Sequence, residues 1–142
     1  MKRNLFENKG EQLTGSVQGK KASDLEERAA RAMDKIPDWE YTFIIRVSPI
    51  TGSLMSGRRG RGGEHNYEID FLAQRGTELL PIMIDGEISH FFAQWQKVQD
   101  EQKEAIINKM LERYGARPVV RVPFWELDTQ DRADVYFRRL LQ

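Results

Sequence analysis

The sequence contains no cysteine, only two histidines and no excess of charge of either sign. Without cysteine, disulfides, zinc–thiolate sites and cysteine nucleophiles are all excluded. Lysine plus arginine and aspartate plus glutamate both total 22, so no overall positive field attracts nucleic acid, and any such binding must depend on local patches. Because there is no secretory signal and no long apolar run, we expect a soluble, cytoplasmic protein with no membrane partner.

What is present is the composition of an ordinary globular protein, with 39% hydrophobic and 31% charged residues in 142. This length suits one domain with a real core. Residues 1–22 are mostly polar, which predicts a flexible N-terminal tail or an arm for a protein partner. We therefore expect a tail over 1–22 and one α/β domain over 23–142.

Periodic apolar residues and end signals define the elements of this domain. Ser23 suits a helix N-cap, Glu26 completes a capping box, and Pro37 ends the helix. Strict alternation from Trp39 to Val47 is typical of a half-buried strand. The remaining elements are expected as strands over 67–73 and 78–84, a helix over 90–114, a strand over 119–122 and a helix after residue 129.

The element order α-β-β-β-α-β-α predicts the topology. A tight turn at 75–77 makes the second and third strands antiparallel. The long helix then crosses over to the fourth strand. We expect a mixed four-stranded sheet with helices on both faces.

Asp70 is an acid inside an apolar strand, where aspartate is poorly suited. An ionised carboxylate in a sheet needs a cation, a metal or hydrogen-bond donors. Taken alone, pairing with an arginine and binding a metal are equally good explanations. Asp85 ends the neighbouring strand, and two acids on adjacent strands can hold a divalent cation through oxygen. His90 follows at the start of the long helix, within plausible reach of the same point.

The segment 51–63 alternates glycine with arginine and is expected to be a flexible basic loop. Its arginines favour phosphate contact over a purely solubilising role, and they are Arg58, Arg59 and Arg61. A second group, Arg113, Arg117 and Arg121, is better explained by solvated side chains near a helix end, with phosphate contact as the alternative.

These residues resemble the PD-(D/E)XK nuclease superfamily, and within it the very-short-patch-repair (Vsr-like) endonucleases. The resemblance runs from Ser23 to about Leu127. It is carried by four short motifs: Ser23-Asp24-Leu25-Glu26, Tyr67-Glu68-Ile69-Asp70-Phe71, the run from Asp85-Gly86 to His90, and the run from Leu111 to Val122.

The resemblance implies a restriction-endonuclease-like fold and a metal-dependent DNA endonuclease, in a phage or mobile-element setting. Asp70 would bind Mg²⁺ or Mn²⁺ together with Asp85 and the backbone carbonyl of Ile84. Glu26 would order metal-bound water, and His90 would act as general acid or base or would orient the scissile phosphate. The metal would stabilise developing charge and lower the pKa of the attacking water. Accessory roles fall to Glu87, Asp100, Lys103 and Glu104.

One departure from the superfamily keeps other functions open. The third strand reads Pro81-Ile82-Met83-Ile84, where the superfamily carries an acid and a lysine as (D/E)-x-K. The alternative is therefore a catalytically inactive nuclease-fold subunit that binds nucleic acid or a protein partner. The zero net charge favours a third reading, a protein-binding module with no nucleic-acid role.

Overall fold

The structure is a computed structural model that describes residues 12–48, 51–57, 67–86 and 93–142, with side chains described from residue 101 in the last range. The elements in chain order are β1 (Ser16–Val17), β2 (Lys20–Lys21), α1 (Asp24–Asp34), β3 (Glu40–Val47), β4 (Leu54–Ser56), β5 (Tyr67–Arg75), β6 (Glu78–Ile84), α2 (Ala93–Leu111), β7 (Val120–Val122) and α3 (Gln130–Leu140). Short 3₁₀ turns cover Glu112–Tyr114 and Phe124–Leu127.

The main sheet has five strands in the order β4-β3-β5-β6-β7. β3, β5 and β6 form an antiparallel meander, and β7 pairs with β6 in parallel after the crossover through α2. The prediction of a single α/β domain with a mixed sheet is confirmed. The prediction of four strands is wrong, because β4 adds an edge strand beside β3.

The first helix begins as its sequence predicts. The Ser23 hydroxyl accepts a hydrogen bond from the Glu26 N–H at 3.2 Å, and Glu26 Oε1 accepts one from the Ser23 N–H at 2.8 Å. This reciprocal pair satisfies two amide groups that a helix start leaves without partners. The capping box therefore fixes the Glu26 side chain at the start of α1.

The core lies in two layers, one on each face of the sheet. α1 and α3 cover one face, where Met33 and Phe137 pack against Phe71 and Ile82. α2 covers the other face through Ile107 and Leu111. The helices on both faces confirm the predicted layering, since each helix presents an apolar stripe to the sheet. None of the helices in the described ranges has the length and apolar character to cross a membrane.

The expected flexible loop over 51–63 needs correction in its first half. Leu54–Ser56 forms β4, in which Met55 pairs with Arg46 of β3. Gly52 has a φ of +72°, which glycine adopts at no steric cost, and this turns the chain between β3 and β4. The glycines therefore delimit a short strand here instead of excluding regular structure.

The expected tail over 1–22 also needs correction from residue 12 onward. β1 and β2 pair as a small hairpin, and Val17 is buried in the core. Glu27, only 3% exposed, accepts hydrogen bonds from the N–H groups of Thr14 and Gly15 at 2.7–2.9 Å and from Arg31 at 3.0 Å. Because a buried carboxylate holds this segment, residues 12–22 belong to the domain. Residues 1–11 lie outside the described residues.

Candidate functional site

Asp70 lies where β5 and β6 part. The pairing of β5 with β6 extends to Phe71 and Ile82, whereas β6 continues along β7 as far as Ile84 and Val122. Across the resulting gap, Asp70 Oδ2 accepts a hydrogen bond from the Ile84 N–H at 2.7 Å. The Asp70 side chain thus replaces a backbone partner that β5 no longer supplies to β6.

The neighbouring strand is strained at the same level. β3 pairs with Phe71 and Ile69 on either side of Asp70, which places Ile44 opposite Asp70. Ile44 has a φ of +66°, a left-handed conformation that is an outlier for a β-branched residue. Phe43 and Ile44 both join the core layer under α1 and α3, so alternation breaks here. Backbone strain of this kind tends to persist at functional sites.

The carboxyl group of Asp70 holds its proton more tightly than an ordinary aspartate. Its pKa is raised from 3.8 to about 6, first because burial disfavours the charged form. The Ile84 N–H opposes this rise, the charges of Glu26 and Glu68 add to it, and the charge of Arg121 opposes it. Three carboxylates from two elements therefore lie within electrostatic reach of one another.

Glu26 reaches this cluster because of its place in the helix cap. The hydrogen bond from the Ser23 N–H commits Oε1, so the side chain is held at the end of α1 that faces Asp70. The charge of Glu26 thus acts on Asp70, and a role for Glu26 at a metal-bound water stays a prediction.

Asp85 pairs with an arginine from β7. Its Oδ1 accepts hydrogen bonds from Nε and Nη2 of Arg121, at 3.0 and 2.5 Å. Nη1 of Arg121 lies 3.9 Å from Oε2 of Glu104 on α2. The Asp85 backbone is fixed as well, since its N–H donates to the Val122 carbonyl at 2.9 Å. Asp85 and Glu104 are therefore joined through one guanidinium group.

The other predicted residues are placed as follows. Ile84 donates its N–H to Asp70, and binding of a metal by the Ile84 carbonyl stays a prediction. Lys103 is exposed on α2, and its charge is not among those that shift the Asp70 pKa. Several predicted residues lie outside the described residues or side chains: Arg58, Arg59, Arg61, Glu87, His90 and Asp100.

Two members of the site were not assigned to it from the sequence. Glu68 lies two residues before Asp70 on the same strand, and strand alternation alone places both side chains on one face. The place of Arg121 at the site depends on the register of the parallel pair of β6 and β7, in which Met83 is paired with Arg121. No sequence pattern carries that register, because it depends on how α2 returns the chain to the sheet.

The acidic side chains do not form a complete preformed metal site. Within the described ranges, no group of three or more His, Asp or Glu residues is arranged to hold a metal ion. Mg²⁺ usually keeps several waters and takes only one or two protein carboxylates together with substrate phosphate. Asp70 with one neighbouring glutamate would be enough for a site of this kind, in which water and substrate phosphate supply the other ligands.

Comparison with known proteins gives this chain no relatives. No family model, no curated protein and no solved structure matches it.

Proposed function

We propose that this protein is a metal-dependent endonuclease that hydrolyses phosphodiester bonds in DNA, on a fold resembling the PD-(D/E)XK nucleases. The observation that carries the proposal is the position of Asp70, which accepts a hydrogen bond from the Ile84 N–H where β5 and β6 part and whose pKa is raised to about 6, first by burial and then by the charges of Glu26 and Glu68. Clustered acids with perturbed pKa values in a strained site are typical of catalytic centres.

Asp70 is the residue we assign to the metal, with Mg²⁺ or Mn²⁺ as the ion. Clustered carboxylate oxygens are the ligands that hard divalent cations prefer, and a cation would relieve the repulsion among these acids. When bound, the ion would neutralise charge on the phosphate and lower the pKa of the attacking water.

The residues of this chain would bind and orient the reactants. Glu26 Oε1 is engaged by the helix cap, so we assign Oε2 to a hydrogen bond from the attacking water. In the reaction, the water oxygen bonds to phosphorus and the bond from phosphorus to the leaving sugar oxygen breaks, with its electron pair passing to that oxygen. The attacking water loses one proton to solvent or to a nearby carboxylate, and the leaving oxygen takes up one proton, so the charges balance. His90 stays a predicted donor of the proton that the leaving oxygen takes up.

The test is cleavage of single-stranded, duplex and branched DNA by the purified full chain with Mg²⁺ or Mn²⁺. Wild type should cut at least one substrate, and Asp70→Asn should cut about a hundredfold more slowly or not at all. Asparagine is preferred to alanine because its carbonyl oxygen can still accept the hydrogen bond from the Ile84 N–H. If Asp70→Asn cuts as well as wild type, the assignment is wrong.

A second function is supported by one specific contact. The Asp85 carboxylate, which was predicted to bind a metal, accepts two hydrogen bonds from Arg121 on one of its oxygens. This favours a nuclease-like subunit that has lost catalysis and binds nucleic acid or a protein partner. Calorimetric titration with Mg²⁺ and Mn²⁺ separates the two functions, since an inactive subunit should show no metal binding that depends on Asp70.

A further inference from the structure

Arg121 lies at the centre of an ion network, whereas the sequence favoured a solvated side chain near a helix end. It lies in the middle of β7, next to the end of β6, and its side chain is only 26% exposed. Two of its nitrogens donate to the same oxygen of Asp85, and a third faces Glu104 at 3.9 Å. A surface arginine near a helix end would not be enclosed by acids from two other elements.

The charge of Arg121 also acts on Asp70. Among the described residues, it is the cation whose charge lowers the pKa of Asp70, against the rise caused by Glu26 and Glu68. The guanidinium group therefore lies at the border of the acidic cluster. A phosphodiester approaching Asp70 would bring more negative charge to this point, and charge on its oxygens grows as the reaction proceeds.

Asp85 is poorly placed to bind a cation of its own. Its Oδ1 already accepts two hydrogen bonds from one guanidinium group, and a metal on that oxygen would stand directly against a positive charge. Its backbone is tied to β7 by the hydrogen bond to Val122. These contacts fit a role for Asp85 in orienting Arg121 better than they fit a role as a metal ligand.

We propose that Arg121 contacts the scissile phosphate, and that Asp85 is a positioning residue which holds the guanidinium group in place. A planar guanidinium matches two phosphate oxygens at once, which suits it to stabilise charge that develops during phosphoryl transfer. Arg121 thereby supplies the positive side chain that β6 lacks. This inference rests on the proposed function, because it assigns a substrate group to the same site.

The experiment compares Arg121→Gln, Arg121→Lys, Asp85→Asn and the double variant Arg121→Gln/Asp85→Asn. Arg117→Gln is the matched control, since Arg117 is also ion-paired, to Glu78 at the opposite end of β6 from Asp85. Circular dichroism and thermal unfolding select the variants that remain folded. For each of these, kcat, KM, the Mg²⁺ dissociation constant by calorimetry and the salt dependence of DNA binding are measured.

Arg121→Gln should lower kcat by about a hundredfold to a thousandfold, with Mg²⁺ affinity within about twofold of wild type. Arg121→Lys should recover part of that loss. Asp85→Asn should lower kcat with unchanged Mg²⁺ affinity, and the double variant should be no slower than Arg121→Gln, because the two residues act as one unit. Arg117→Gln should leave kcat unchanged. The slope of log affinity against log salt should fall by about one for Arg121→Gln.

Three outcomes would overturn the inference while leaving the proposed function standing. The first is a kcat of Arg121→Gln equal to that of Arg117→Gln. The second is a double variant that is slower than Arg121→Gln by the full effect of Asp85→Asn, which would make the two residues act independently. The third is a tenfold loss of Mg²⁺ affinity in Asp85→Asn, which would make Asp85 a metal ligand. If wild type cuts nothing, the proposed function fails, and an unchanged salt slope in Arg121→Gln then also removes the phosphate contact.

Discussion

Replacing Asp70 by asparagine should stabilise the protein, although it removes the central residue of the proposed site. The folded carboxyl has a pKa of about 6, above the ordinary value of 3.8, so the folded chain binds this proton more tightly than the unfolded chain does. The group therefore stabilises the fold below pH 3.8, and this contribution is lost as the pH rises through 6. Asparagine has the shape of the neutral acid and carries no charge at any pH.

The magnitude follows from the same two values. The gap between 3.8 and about 6, at about 1.36 kcal/mol per pKa unit, corresponds to about 3 kcal/mol. Since the carboxylate keeps some contact with solvent, we expect Asp70→Asn to be about 2 kcal/mol more stable than wild type at about pH 8 and equal to it near pH 3. For a domain of this size, the gain corresponds to a rise in Tm of roughly 8 °C.

Urea unfolding of both proteins at these two pH values measures the difference directly. Asp38→Asn, at an exposed aspartate between α1 and β3, is the control and should change the free energy of unfolding by less than about 0.5 kcal/mol at either pH. Adding Mg²⁺ at about a hundred times its dissociation constant should stabilise wild type by about 2.7 kcal/mol and leave Asp70→Asn unchanged. The reasoning would be refuted if Asp70→Asn were less stable than wild type at high pH. It would also be refuted if the difference in free energy of unfolding between the two proteins were the same at both pH values.

Three further substitutions test other parts of the fold by urea unfolding. Glu27→Gln should lower the free energy of unfolding by about 2–4 kcal/mol, because it breaks a buried charged network. Burial raises the pKa of Glu27, but its hydrogen bonds outweigh this and lower the pKa below 4.5, so the difference in stability from wild type should shrink as the pH falls below 4.5. A difference that does not change with pH would contradict this. Trp39→Phe should cost about 1–2 kcal/mol by leaving the buried Leu141 carbonyl without its indole donor at 2.9 Å, and an unchanged midpoint would count against that bond. Gly52→Ala should lower the free energy of unfolding by about 1–2 kcal/mol, because φ at this position is +72° and the new methyl group would meet the Arg113 side chain. A more stable variant would show that this turn is not left-handed.

The main elements could be predicted because each has a local cause. The capping box at Ser23 and Glu26 marks the start of α1, the turn at Gly76 makes β5 and β6 antiparallel, and Gly115 ends the turn after α2 in a left-handed conformation. These signals involve residues a few positions apart, so one sequence is enough to find them. The layering followed from the apolar periodicity of the same segments.

The remaining features depend on contacts between distant segments. β4 has no alternating pattern of its own and exists because β3 offers it an edge. The hairpin at 16–21 is held by a charge on α1, so its polar composition predicted a tail. The pairing of Asp85 with Arg121 needs a parallel register across 36 residues. For the site, Asp70 and Glu26 could be foreseen, whereas the grouping of Asp85 with Arg121 could not.

The parallel placement of β7 has a consequence for the order in which the site can form. Glu26, Asp70 and Arg121 come from the first, middle and last parts of the chain, and β7 docks only after α2 has crossed the sheet. Contacts of such long sequence separation form late, because the intervening loop must close first. A chain still emerging from the ribosome would carry the acids at the start of α1 and in β5 without the guanidinium group between Asp85 and Glu104. The complete charge arrangement is thus a property of the finished fold, and nascent chains lack it.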